Sequence, residues 1–167
     1  MRLSIQRETL LKSLQQVVGV VERRQTLPVL ANLLFVVSEG ELALTGTDLE
    51  VEMVSRTSAE DMSDGEVTIP ARKLFDICRA LPDGCKIKME QTGEKVLVNA
   101  GRSRFTLATL PASEFPTTEG IEAIEKVTLP EATLKALMDQ TSFAMAHQDV
   151  RYYLNGLLLD REDSLRC

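Results

Sequence analysis

Tryptophan is absent from this 167-residue chain, histidine occurs once, and aromatic residues make up only 4%. The interior must therefore be mostly aliphatic, and an apolar content of 44% is enough to build one. No run of about 18 apolar residues occurs, which excludes a membrane-spanning helix. Met1 to Ser4 opens like a strand and carries no signal-peptide pattern. The three cysteines, Cys78, Cys85 and Cys167, are odd in number and not closely paired, so they fit a reducing compartment better than a disulfide framework. These absences point to a soluble cytoplasmic protein. The chemistry of catalysis is also thin. His147 has no second histidine or cysteine near it in the sequence, and no phosphate-binding loop, zinc-hydrolase or nucleophile-elbow motif occurs. Cys78 falls on the inward face of a helical pattern and Cys85 follows a turn, so both read as structural. No cofactor and no metal are expected.

What is present is a repeat. Leu3 to Gln6, Val67 to Pro70 and Val127 to Pro130 are three similar β-type runs, each leading into a helical pattern. A period of roughly 60 residues is the mark of a repeated supersecondary unit. In the first copy, Leu10, Leu11, Leu14, Val17, Val18 and Val21 form an amphipathic stripe, with Arg7, Lys12, Gln15 and Gln16 off it. Strand-like runs follow at 30–38, 42–45 and 49–55, with Glu39-Gly40-Glu41 as a hairpin turn. In the second copy, a strand at 66–69 precedes a helix over 71–81, stopped by Pro82-Asp83-Gly84, and strands at 86–90, 95–99 and 102–107. The pattern is β-α-β-β-β, twice. Two such units sharing one core make an α+β domain with two sheets and two helices. The polar, acidic stretch from Ala112 to Glu125, with Pro111 and Pro116, reads as an interdomain connection. We expect a first domain at 1–118, a linker at 119–126 and the start of a second copy at 127–167, with a helix lined by Leu134, Leu137, Met138 and Thr141 and strands from Tyr152 onward.

Charge is unevenly distributed about a net −6. Residues 39–66 hold nine acids and one base, whereas residues 1–24 hold five bases and two acids, and residues 72–104 hold eight bases and four acids. One reading is solvated faces of both signs. The other is an acidic exterior with a basic surface able to meet nucleic acid despite the negative total. Asp48, Glu50 and Glu52 are the best candidates for a catalytic or cation-binding cluster, since strand alternation would put them on one face. A solvated outer face explains the same spacing.

Several segments go further than pattern. They are Thr26 to Leu30, Leu44 to Glu50, Pro70 to Lys73, Gly101 to Leu107, Leu110 to Pro116 and, above all, Phe143 to Gly156, which contains His147, Gln148, Asp149, Arg151, Tyr152, Tyr153 and Asn155. In this order they resemble the bacterial sliding clamp family, the β subunit of DNA polymerase III, along the whole chain. The resemblance implies a DNA-clamp fold: a head-to-tail dimeric ring of three similar domains per subunit, with helices lining the hole and sheets outside. It implies a non-catalytic processivity factor of the polymerase holoenzyme that encircles duplex DNA without sequence preference. Its partners would be double-stranded DNA, a second clamp subunit, and the polymerase, clamp loader and other clients, with no membrane. Residue by residue, Arg24, Arg72, Lys73, Gln148, Tyr152 and Tyr153 match DNA-approaching positions. Arg102, Arg104, Phe105 and Leu107 match the subunit interface, although Phe105 and Leu107 also read as core. Arg151 and Leu154 match part of the client groove.

The length departs from the family: one full domain is followed by the first third of another. The expected reading is a fragment of a clamp that lacks the rest of the ring. The alternative is a natural short product that binds the full-length clamp and interferes with ring closure.

Overall fold

The structure, a computed structural model, describes residues 1–21, 27–117, 127–147, 149–161 and 165–166. The chain divides into two compact units, residues 1–120 and 121–167. The expected linker at 119–126 lies outside the described residues.

In the first unit, β1 (Arg2–Gln6) runs without a turn into α1 (Arg7–Val17). Leu10, Leu14 and Val17 are buried, as the stripe requires, and the helix tightens into a 3-10 turn at Val18–Val20. Three antiparallel strands follow: β2 (Asn32–Ser38), β3 (Glu41–Thr47) and β4 (Glu52–Thr57). The β2–β3 connection is the two-residue turn Glu39-Gly40, both residues at positive φ (53° and 81°), whose twist matches that of a hairpin. Next come β5 (Glu60–Ser63), which the sequence pattern does not announce, and β6 (Gly65–Pro70). Then α2 (Ala71–Ala80) buries Ala71, Leu74 and Cys78, and β7 (Lys86–Thr92), β8 (Lys95–Ala100) and β9 (Ser103–Ala108) complete the unit.

The architecture is α+β, with two antiparallel sheets ordered β5-β1-β7-β8-β9 and β4-β3-β2-β6. The first strands have changed places. β1 pairs with β7 in the register Leu3↔Met89 and Ile5↔Ile87, whereas β6 pairs with β2 in the register Leu33↔Ile69 and Phe35↔Val67. Both sheets and both helices bury their apolar faces in one aliphatic core that includes Leu3, Ile5, Leu10, Leu14, Leu33, Phe35, Leu42, Leu44, Ile69, Leu74, Ile87 and Met89. Gly46 allows the close approach: a Cβ there would lie 2.8 Å from Leu33 Cδ2 and 3.1 Å from the Val17 carbonyl oxygen.

Two polar nodes fix this arrangement. The Arg7 side chain, only 13% exposed, donates from Nε to the Cys78 carbonyl (2.8 Å) and from its terminal nitrogens to the Arg79 carbonyl and the Asp83 carboxylate. It thereby satisfies carbonyls left open at the end of α2. The neighbouring Glu8 carboxylate accepts from the Gly84 backbone N–H (2.8 Å), and that bond, with Arg7 beside it, holds its pKa below the usual glutamate range. The second node is Thr68, fully buried on β6. Its hydroxyl donates to the Leu110 carbonyl (2.7 Å) and accepts from the Leu110 N–H and the Asn32 side-chain amide, both at 3.0 Å. The segment after β9 is thus strapped across the β2–β6 sheet, where Phe115 packs with Val29 and Leu34. Residues 112–115 therefore belong to the first unit rather than to a linker: buried Phe115 anchors their end, and the Thr68 hydroxyl holds Leu110 just before them.

The second unit contains α3 (Glu131–Thr141), 3-10 turns at Ser142–Ala144 and Tyr152–Asn155, and a short pair β10 (Asp160–Arg161) and β11 (Leu165–Arg166). Residues 127–130 do not form the expected strand, because no ladder partner stands beside them among the described residues. The strand expected from Tyr152 is a 3-10 turn instead. No residue of α3 is buried; Leu134 and Leu137 are half-buried.

Replacing Arg7 with Ala leaves carbonyls of α2 and the Asp83 carboxylate without their donor. Stability should fall by about 1.5–3 kcal/mol, the range for hydrogen bonds to a charged group. The check is a urea melt in which the midpoint falls and the slope is unchanged. Thr68→Val keeps the shape and removes the hydroxyl, leaving the Asn32 amide and both Leu110 backbone groups unpaired. A loss of about 2–4 kcal/mol is expected, with faster amide exchange at Leu110.

Candidate nucleic-acid interface

The two helices of the first unit pack against each other, and their buried faces leave a solvent face of mixed but mainly basic character. On α1 this face carries Glu8, Lys12, Gln15 and Gln16; on α2 it carries Arg72, Lys73, Asp76 and Arg79. Lys12 and Lys73 make no ion pair with any described residue. Arg72 is held: a terminal nitrogen donates to the Val21 carbonyl at 2.7 Å, tying the start of α2 to the chain that leaves α1. Arg79 lies over the Phe75 ring, 5.6 Å from its centroid. The first turn of α2 has no acidic residue and no side-chain cap, so Arg72 and Lys73 stand at the positive end of the helix dipole. That placement is unfavourable for an isolated helix and favourable for attracting an anion. The sequence motifs do not single out Lys12 and Arg79. Both lie off the apolar stripes, but off-stripe position also describes Arg7, which is a clamp rather than a surface cation.

Arg24 and Gln148 lie outside the described residues. Tyr152 and Tyr153 are exposed at 83% and 68%, with ring centroids 6.0 Å apart in an edge-to-face arrangement. The loop presenting them is closed by Asn155, whose side-chain oxygen accepts from the Asp149 N–H and whose amide donates to the Asp149 carbonyl, both at 3.0 Å. Arg151 grips the Asp149 carboxylate with two side-chain nitrogens, at 3.0 and 2.9 Å. This pairing lowers the Asp149 pKa and raises that of Arg151. Leu154 is 37% exposed and its backbone closes on Ala146. The loop therefore offers two exposed aromatic rings and one neutralised arginine.

At the far edge of the five-stranded sheet, β9 has a ladder partner only in β8 among the described residues. Arg102 and Arg104 are exposed beside this open edge. Phe105 is half-buried opposite Val98, and Leu107 is 6% exposed opposite Val96, both on the core side. Leu107 is thus part of this unit's own core. What β9 presents outward is its backbone edge, the two arginines and the margin of Phe105.

The acidic run does not form the expected strand face. Asp48 ends β3 in a turn, its Oδ1 accepting from the N–H groups of Glu50 (2.9 Å) and Val51 (2.7 Å), and Leu49 takes φ of 79°. Only Glu52 lies in a strand, so the alternation that would align the three carboxylates never begins. Among the described residues no three acidic, cysteine or histidine side chains meet to hold a metal. Cys78 is buried, which pushes its thiol up to about 12 and makes it a poor nucleophile. No described helix is long and apolar enough to cross a membrane.

Residues 1–119 match the model of the DNA polymerase III beta subunit, N-terminal domain. The chain is 58% identical to the beta sliding clamp of Pseudomonas aeruginosa over 96% of its own length, and 53% identical to that of Escherichia coli over 97%. It spans 44% of the length of each. A solved sliding clamp from Pseudomonas aeruginosa superposes with a TM-score of 0.91 at 59% identity, covering 95% of this chain and 43% of that one. The polymerase III beta subunit of Caulobacter crescentus superposes at 0.90 with 38% identity, covering 95% and 44%. With its N-terminal-domain match covering most of its length, the chain belongs to the DNA polymerase III beta subunit family, the bacterial sliding clamps.

Proposed function

We propose that this chain is part of a processivity factor that encircles duplex DNA and tethers the replicative polymerase, without catalysis of its own. The observation that carries the reading is the exposed cationic face of α1 and α2, with Lys12 and Lys73 unpaired among the described residues, in a chain whose relatives are beta sliding clamps. Long, solvated cations attract phosphates without reading bases, which suits a protein that must move along DNA. Arg24, Arg72, Lys73 and Gln148 act at the backbone, and Tyr152 and Tyr153 stack on unpaired bases where the duplex ends. The open edge of β9, flanked by Arg102, Arg104 and the margin of Phe105 and backed by the buried Leu107, continues its sheet into a second clamp subunit. Arg151 and Leu154 contribute to the groove used by polymerase, clamp loader and other clients. The protein works in the cytoplasm, at the nucleoid.

The logarithm of the binding constant for a duplex oligonucleotide should fall linearly with the logarithm of salt concentration, and binding should be indifferent to base sequence. The double variant Lys12→Ala, Lys73→Ala should reduce that slope by about 1.8, roughly 0.9 for each phosphate no longer neutralised. An unchanged slope would remove the helix face from the interface. Tyr152→Ala should leave duplex binding unaltered and weaken single-stranded DNA binding by about 1–3 kcal/mol, the range for one base stacked on an aromatic ring. Fluorescence anisotropy with the two DNA forms separates these outcomes.

A further inference from the structure

The face of the five-stranded sheet that turns away from the core carries a site the DNA reading does not use. Strand register places Glu60, Ser4, Lys88, Asn99 and Arg104 in one row across β5, β1, β7, β8 and β9. The next row begins with Arg2 opposite Glu90. Leu3, Ile87, Met89 and Val98 occupy the alternate positions and fill the core, so these polar residues face outward. Between the two rows lies an open cavity of about 480 Å3, lined by Arg2, Ser4, Asp61, Lys88, Glu90 and Asn99 among others. That volume falls in the range of small-molecule sites, roughly 300–1,000 Å3.

Three features make this more than a charged surface. Ser4 lines the cavity at 2% exposure, yet its hydroxyl has no hydrogen-bond partner among the described residues. A buried hydroxyl left unsatisfied is costly, and a ligand atom would satisfy it. Arg2 and Glu90 are directly opposed across a strand pair, where opposite charges usually associate. They form no ion pair with any described residue, and neither does Lys88; Asp61 makes no direct pair but lies within electrostatic reach of Lys86. Finally, the neighbouring Lys86 is already held by Glu60, which pins edge strand β5 to the sheet and fixes one wall.

We propose that this cavity binds a phosphomonoester carrying hydroxyl groups, the chemistry shared by a sugar phosphate and a nucleotide. Lys88 is the centre of the donor set: Ser4 and Asn99 are its direct cross-strand neighbours and Arg2 its diagonal one. Together they supply two charged donors, an amide and a hydroxyl to one phosphoryl group. Asp61 and Glu90 accept only and would repel a bare anion; they match sugar hydroxyls on the remainder of the ligand. Inorganic phosphate alone fills only part of the cavity and leaves both carboxylates without a hydrogen-bond donor.

The test titrates the whole chain with ribose 5-phosphate, adenosine 5′-monophosphate and inorganic phosphate, following backbone amide resonances. Saturable shifts at residues 2–4, 60–62, 88–90 and 99 are expected with the two esters, and weaker binding with inorganic phosphate. Lys88→Ala and Arg2→Ala, both on an exposed face, should each weaken ester binding by about tenfold. Asp61→Asn should weaken the esters and leave or improve inorganic phosphate. Tighter binding of the nucleotide makes a nucleotide the ligand; equal or tighter binding of the pentose phosphate makes it a sugar phosphate. No saturable shift with either ester, shifts indifferent to Lys88→Ala, or inorganic phosphate binding as tightly as the esters would each overturn the proposal.

Discussion

Neither half of the first unit can complete a sheet from its own strands. β1 is needed by β7, and β6 is needed by β2, so each helix connects a strand of one sheet to a strand of the other. This reciprocal exchange is the constraint from which the rest follows. It forces both helices over a common core, because α1 and α2 each begin where an exchanged strand ends. It also makes the core indivisible: Leu3 and Ile5 pack with residues more than 80 positions later in the chain. Such long-range pairing costs loop entropy before it rewards it, so folding should be cooperative rather than stepwise. Arg7 stands at the junction where the cost is greatest. It is the first residue after β1, and it caps α2, the helix of the opposite half. Its largely buried position would not tolerate it unpaired, so it is a local charge recruited to fix a global topology.

The same constraint decides which groups remain for function. With the aliphatic stripes of α1 and α2 consumed by the core, their outward positions are free to be basic. Nothing in the packing requires Lys12 or Lys73 to be cations, whereas Arg79 lies over the Phe75 ring. The first turn of α2 is the telling case. Stability favours an acid there, and the chain places Arg72 and Lys73. Part of that cost is offset by the Arg72 bond to the Val21 carbonyl, which turns one of the two cations into a brace between the helices. The other is left to solvent.

The helices, the hairpins and the α+β class were legible in the sequence because they are local: the stripe from Leu10 to Val17, Glu39-Gly40, and the stop at Pro82. What was not legible was set by partners distant in the chain. Glu60 to Ser63 has little intrinsic strand character, and β5 exists because the edge of β1 needs a ladder and Glu60 reaches Lys86. Val127 to Pro130 has strand character but no ladder partner among the described residues, and it is not a strand. Asp48 looked like the start of an alternating face, yet its short side chain bonds the backbone two and three residues on and makes a turn. The candidate site divides in the same way. The clamp motifs pointed to Arg72, Lys73, Tyr152 and Tyr153, and all four are exposed. Leu107 is buried, because a strand at an edge still has one face turned inward. Lys12 was visible only as an off-stripe residue, a description that fits a clamp such as Arg7 equally well.

Two sets of described cations differ in a way that bears on how such a chain would meet DNA. Arg7, Arg72 and Arg151 are tied to carbonyls or carboxylates in fixed geometry; their guanidinium forks suit a stationary, multidentate role. Lys12 and Lys73 are compact charges on flexible stems with no partner among the described residues. A contact made by such a lysine gains little from any one phosphate and gives up little in moving to the next, so the energy along the duplex stays nearly level. An array of rigid, bidentate arginines on the same face would bind more tightly and move more slowly. On the proposed reading, holding Arg7 and Arg72 for architecture and leaving Lys12 and Lys73 free gives attraction to DNA without registration on it. Retention on the template would then fall to the closure of the ring rather than to the strength of any contact in this chain.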